Sequence, residues 1–155
     1  MYSVCLNELY AVSGSDDNTI QVYNLTKMKT VKTLNHSYSV RCVSFGPINT
    51  WLANKIISCS YDRTLRIWNV ENEKIEHEFK HDKYCRSFDI DQNGETLVVA
   101  YGYGSNGGVS VWSIRDHKQM ANIKTDSSAR DVRFNKFDNK IVAGCYYGEV
   151  YKIIL

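Results

Sequence analysis

The sequence predicts an all-β chain in which one supersecondary unit recurs four times, and three observations carry that reading. Four segments stack on one another: "SGSDDNTIQVYNL" from Ser13, "SCSYDRTLRIWNV" from Ser58, "VVAYGYGSNGGVSVWSI" from Val98 and "AGCYYGEVYKIIL" from Ala143. Between them lie short β-branched and aromatic runs broken by Gly, Asn and Asp, with the one proline, Pro47, between two such runs. No stretch shows a convincing 3.6-residue apolar period, so no helix is predicted.

Taken in order, the first strand is predicted at Tyr2 to Leu6. It begins the first of three complete cycles, the second and third opened by "VRCVSF" (Val40 to Phe45) and "CRSFDI" (Cys85 to Ile90), and a last cycle consists only of "ARDVRF" (Ala129 to Phe134), "KIVAGC" and "EVYKIIL". Each opening run leads through a turn into the stretch ending in an aromatic landmark, and runs such as "KIEHEFKH" and "QMANIKT" close a cycle. The landmarks Tyr23, Trp68 and Trp112 are 45 and 44 residues apart, and Ile153 takes the place 41 residues on. That spacing matches the roughly 40–45 residues of a four-stranded propeller blade. The predicted units are 1–35, 36–80, 81–125 and 126–155, the last without its outer strand, which makes 15 strands in about four blades.

The second unit resembles the WD-repeat family of β-propellers, and the resemblance covers nearly the whole chain. It carries His36 four residues before Val40, Ser58 in the second strand, Asp62 in the tight turn, and Trp68 with Asn69 where the family has Trp-Asp. The third unit keeps His81 and Trp112 but places "GYGSNGG" where the turn aspartate belongs. The first has Ser13, Asp17 and Tyr23, and the fourth has Tyr147 at the aspartate position and no tryptophan. The resemblance implies a hydrogen-bonded chain inside a blade, here Asp62 to His36 to Ser58 to the Trp68 ring nitrogen, which stabilises when every member is satisfied. It also implies that a ring of usually seven blades would make this chain its C-terminal part; an eight-bladed ring of two copies and a small four-bladed ring are the alternatives.

A serine, a histidine and an aspartate in one unit also suggest a hydrolase. The family pattern assigns them to structure instead, and Ser58 has no G-x-S-x-G elbow. "GYGSNGG" lacks the Lys-Ser/Thr of a phosphate-binding loop and no helix follows it, so an enlarged hairpin with positive-φ glycines is expected. The five cysteines Cys5, Cys42, Cys59, Cys85 and Cys145 are odd in number, have no metal or redox spacing and sit in strand-like runs, which predicts buried reduced thiols and no metal. No cofactor and no catalysis are expected.

With 19 Lys+Arg against 17 Asp+Glu, bulk charge does not point to nucleic acid or membrane. No leader-like or bilayer-length apolar segment is found, so the expectation is a soluble intracellular chain, cytoplasmic or nuclear, in which the sequons at Asn24 and Asn35 carry no weight. In WD repeats the residue after the first apolar position of the inner strand lines the top of the channel. The resemblance places Tyr2, Arg41, Arg86 and Arg130 there, and Asp16, Tyr61 and Tyr146 beside them, with Tyr103 in the inserted loop. Two readings stand: each arginine is paired in its own blade or with Asp131 or Asp89, or the three receive an acidic or phosphorylated peptide. The expected function is therefore a non-enzymatic protein-interaction scaffold; an RNA-binding subunit using the same Arg/Tyr face is the alternative.

Overall fold

The computed structural model describes residues 1–135, 137–138 and 140–154. They form 15 strands: β1 (Ser3–Leu6), β2 (Tyr10–Gly14), β3 (Thr19–Asn24), β4 (Lys29–Asn35), β5 (Val40–Phe45), β6 (Lys55–Ser60), β7 (Thr64–Asn69), β8 (Lys74–Lys80), β9 (Cys85–Ile90), β10 (Thr96–Tyr103), β11 (Asn106–Ser113), β12 (Lys118–Thr125), β13 (Ala129–Phe134), β14 (Ile141–Cys145) and β15 (Val150–Ile153). The strands pair antiparallel in chain order into four sheets, β1 to β4, β5 to β8, β9 to β12, and the three-stranded β13 to β15. Three opening strands have the predicted bounds. The first begins at Ser3 rather than Tyr2, whose amide still bonds Gly14 O at 2.9 Å. Of the predicted "EVYKIIL" run, Val150–Ile153 is strand and Leu155 lies outside the described residues.

Burial explains the sequence pattern strand by strand. In β3 every second residue, Ile20, Val22 and Asn24, is buried, which is the alternation of a half-covered strand. β6 and β10 are instead buried nearly throughout, because both of their faces are covered. The turns repeat as faithfully as the strands. Asn18 and Arg63 have φ of 72° and 68° in the hairpins joining second to third strand, and Met28, Glu73 and His117 have φ of 51°, 60° and 53° in those joining third to fourth. The repeat is thus a repeat of backbone conformation, tolerated at αL by whichever side chain stands there.

The chain divides into two compact units, Met1–Lys80 and His81–Leu155, each holding two sheets. In the first, Val12, Ile20, Val22, Leu34, Val40, Val43, Ile56 and Trp68 form the core joining sheets one and two. In the second, Val98, Ala100, Val109, Val111, Ala129, Val132, Ile141, Ala143 and Ile153 join sheets three and four. Cys59, Cys85 and Cys145 are buried as expected, but Cys5 and Cys42 are only half-buried.

The expected enlarged turn is not what "GYGSNGG" forms: it lengthens β10 and β11 to eight residues each and closes them through residues 104 and 105 alone, with Tyr103 paired to Asn106. Gly102 and Gly104 have φ of 144° and 58°, whereas at Gly107 a Cβ would stand 2.4 Å from Ser127 O and at Gly108 2.4 Å from Ile123 O. Gly104 is needed for its dihedral, Gly107 and Gly108 for close backbone approach, and Gly102 for both, since a Cβ there would lie 2.6 Å from Asn106 O. Gly46, just past β5, is the sharpest case of the second kind, since a Cβ there would lie 2.1 Å from Leu52 O and 2.4 Å from Leu52 Cβ. Gly46→Ala is expected to lower stability by about 1–3 kcal/mol through this overpacking, read as a lower urea midpoint at unchanged slope. An unchanged midpoint would show that the loop shifts without cost.

Candidate functional site

In the first unit the polar chain inside sheet two is complete. Trp68 Nε1 donates to Ser58 Oγ at 2.8 Å, Ser58 Oγ lies 2.7 Å from His36 Nε2, and His36 Nδ1 lies 2.8 Å from Asp62 Oδ2. One tautomer satisfies every atom: His36 neutral, donating from Nδ1 to the carboxylate and accepting the serine proton at Nε2. Burial, the largest influence, lowers the His36 pKa and keeps the ring neutral. Burial pushes the Asp62 carboxyl up, but hydrogen bonds from His36, the Thr64 hydroxyl and the Ser37 amide outweigh it and hold the group well below the ordinary carboxylate range. The Ser58 hydroxyl is fully buried and already accepts from an indole, so it is not presented to a substrate.

The corresponding place in the second unit differs. The residue of β10 facing the third strand where Ser58 does in β6 is Val99, and the serine has moved across to Ser110 on β11. Trp112 Nε1 donates to Ser110 Oγ at 2.9 Å, but His81 Nδ1 is 3.5 Å from that oxygen, and His81 Nε2 is buried with no hydrogen-bond partner. Desolvation drives the His81 pKa down to about 4, with Asp82 opposing weakly. The His81 ring is held between Trp112 and Tyr101, at centroid distances of 5.3 and 6.1 Å. Sequence reasoning named His81 and Trp112 but missed Ser110; the absence of a serine at Val99 was the available signal.

Four residues expected on one face come together in the first unit. Arg41 follows the first residue of β5, and its guanidinium carbon lies 3.5 Å from the Tyr2 ring centroid and 4.8 Å from that of Tyr61. Ser39 donates a short hydrogen bond to Asp16. That bond first, then one from Tyr2 and the field of Arg41, lower the Asp16 pKa, so the cluster holds a carboxylate beside a stacked cation. Among the described residues no hydrogen bond or ion pair engages the Arg41 N–H groups. Ser39 was missed because the reading took the residue after Val40 and not the one before it.

In the second unit Arg130 stacks on Tyr146 at 4.5 Å, and Tyr146 meets Tyr147 edge-on at 5.0 Å. Arg86 differs, since its Nε donates to Gly102 O at 3.0 Å. Tyr103 of the β10–β11 hairpin packs against Tyr84 at 5.7 Å, and Tyr84 is a further residue that the sequence reading passed over. The acids named as alternative partners are engaged elsewhere: Asp131 pairs with Arg133 at 3.0 Å and accepts from Ser87, and Asp89 accepts from the Phe134 amide at 2.8 Å. Among the described residues no group of three or more His, Cys, Asp or Glu is placed to hold a metal ion. No helix in them is long and apolar enough to cross a membrane.

Repeated four-stranded antiparallel sheets with a Trp–Ser–His–Asp chain inside one of them define a β-propeller of the WD class. A family model described as WD domain, G-beta repeat, matches residues 28–69, and together with WD-repeat relatives this supports membership of the WD-repeat family. It is similar to the nuclear distribution protein PAC1 of Komagataella phaffii, 30% identical over 64% of this chain and 20% of that protein. It is likewise similar to the small ribosomal subunit protein RACK1 of Drosophila melanogaster, 31% identical over 59% of this chain and 27% of that one. A WD repeat-containing protein WDS homolog of Arabidopsis thaliana is 38% identical over 41% of this chain and 12% of its own length. The matched stretches thus span about a quarter or less of these relatives. The crystal structure of the computationally designed Ika4 protein superposes with a TM-score of 0.81 at 19% identity, covering 97% of this chain and 88% of that one, a likeness of fold. WD-repeat proteins generally act as protein-interaction scaffolds and are typically not enzymes.

Proposed function

We propose that this chain contributes an anion-reading contact to a non-enzymatic protein-interaction scaffold, with Arg41 as the residue that meets an acidic or phosphorylated segment of the partner. The observation that carries this reading is the stacking of the Arg41 guanidinium on Tyr2 and Tyr61, with no hydrogen bond from it among the described residues. The rings hold the planar fork in place before any partner arrives, so less side-chain entropy is lost on binding. Stacking on rings uses none of the N–H donors, which are the groups that bind a carboxylate or phosphate bidentately. Asp16 keeps a counter-charge nearby, which selects for a ligand able to take the guanidinium in two hydrogen bonds. Arg130, stacked on the half-exposed Tyr146, offers a second contact of the same type.

Against an immobilised set of acidic and serine-phosphorylated peptides, Arg41→Ala is expected to weaken the captured interactions about tenfold and to flatten their salt dependence. Equal binding by wild type and variant would place the contact elsewhere. The exposed rings of Tyr103, Tyr146 and Tyr147 favour single-stranded RNA as a second reading. A steep, sequence-independent fall of affinity for an RNA oligomer with rising salt would support that reading in place of the first.

A further inference from the structure

The nine residues 46–54 between β5 and β6 form the other end of sheet two from Arg41, about 16 Å away along β5 at ~3.3 Å per residue. The loop is closed on itself. Gly46 N donates to Lys55 O at 3.1 Å, Lys55 N to Leu52 O at 2.9 Å, Ala53 N to Thr50 O at 3.1 Å, and Thr50 Oγ1 to Pro47 O at 2.8 Å. Leu52 anchors it with no exposed surface, yet the residue before it, Trp51, is 48% exposed and Ile48 is 80% exposed. A rigid loop that turns a tryptophan outward has the character of an interface anchor, because the ring adds contact area and little conformational entropy is lost.

Trp51 meets His77 of β8 at 5.6 Å and 88°, which fixes the ring. Beside it, reaching to the β7–β8 turn, is a cavity of about 240 Å³ lined in part by Trp51, Lys55, Asn69 and Glu71. The charges around it are unequal in their freedom. Lys55 Nζ is held at 2.6 Å by Glu76, which also accepts from Asn69 Nδ2 at 2.9 Å. Lys32 donates to the Glu71 carbonyl at 2.7 Å and pairs with Glu73 at 3.3 Å. The Glu71 side-chain carboxylate has no hydrogen bond or ion pair among the described residues.

We infer that this cavity is a second docking point, taking one cationic side chain, arginine or lysine, from a partner polypeptide. The indole receives the cation against its ring and the Glu71 carboxylate supplies the counter-charge that nothing else at the site neutralises. The volume suits one extended side chain, and Ile48 provides apolar surface for a neighbouring residue of the same partner. The site is independent of Arg41 and of opposite charge preference.

The test follows the indole N–H resonance of Trp51, identified by its loss in Trp51→Phe, while the whole chain is titrated with acetyl-Gly-Arg-Gly-amide. The same peptide with neutral citrulline in place of arginine is the control. The arginine peptide is expected to shift the signal saturably with a dissociation constant of millimolar order, and Glu71→Gln to weaken it about five- to tenfold. Glu71 is exposed, so that variant keeps the wild-type melting temperature, and Arg41→Ala leaves the titration unchanged. Equal binding of the citrulline peptide, indifference to Glu71→Gln, or no saturation by about 10 mM would each overturn the proposal.

Discussion

Asp62→Ala is expected to cost the first unit about 2–3 kcal/mol, the upper part of the range for leaving buried hydrogen-bond donors without an acceptor. The size follows from what the substitution strands. The carboxylate accepts from His36 Nδ1, the Ser37 amide, the Thr64 amide and the Thr64 hydroxyl, and lies 3.5 Å from Arg66 Nη2. Its loss leaves His36 with a buried donor and no acceptor, and loosens the loop carrying Ser37 from the β6–β7 turn. Because the folded carboxyl titrates below its unfolded value, its stabilisation is complete above about pH 4 and is lost as the pH falls through the folded pKa. Denaturant unfolding of wild type and variant at neutral pH reads the difference directly. A loss under about 1 kcal/mol would mean that the chain of hydrogen bonds is only local decoration.

Acidification from pH 7 to pH 4 is expected to remove about 3 kcal/mol through His81 alone, because its pKa is about 4 in the fold against 6.5 free. The sign is set by proton uptake. Between those two values the unfolded chain binds a proton that the folded ring refuses, so stability falls as the pH drops and is regained above about pH 6.5. His81→Phe removes the buried Nε2 that has no partner and keeps an aromatic ring against Trp112 and Tyr101. It is expected to change stability little at pH 7 and to flatten the dependence between pH 4 and 6.5, because replacing an unsatisfied polar group by an apolar one costs little. Stability profiles of the two proteins that remain parallel across that window would assign the acid sensitivity to other groups. The contrast with His36 is the useful part: one histidine is a member of a closed chain and the other is the remnant of one.

The strands were legible because their signal is local. β5, β9 and β13 were read to the residue from alternation and from the turn that follows each. The Trp68–Ser58–His36–Asp62 chain was legible by resemblance, since all four residues stand at the spacings of the family pattern. The stacking of Arg41 on Tyr2 and Tyr61 was legible only as a shared register position, because pattern places residues on a face without showing which of them touch. Ser110 was not legible. A serine that changes strand leaves no periodic trace, and only the pairing of Val99 with Ser110 shows why the third sheet's histidine lost its partner.

The exposed Trp51 shows the same limit from the other side. In sequence it is one aromatic beside Leu52, and nothing local tells which of the two is covered. From residue order and spacing alone came the all-β class, the four-fold repeat, the bounds of β5, β9 and β13, and the place of a histidine, a serine, an aspartate and a tryptophan in one unit. Tertiary structure alone decided which of two histidines is satisfied, which glycines are required by space and which by dihedral angle, and which cations and carboxylates are engaged within the described residues. The physical reason is range: alternation and turn preference act over a few residues, whereas satisfaction and exposure depend on atoms brought together from strands tens of residues apart.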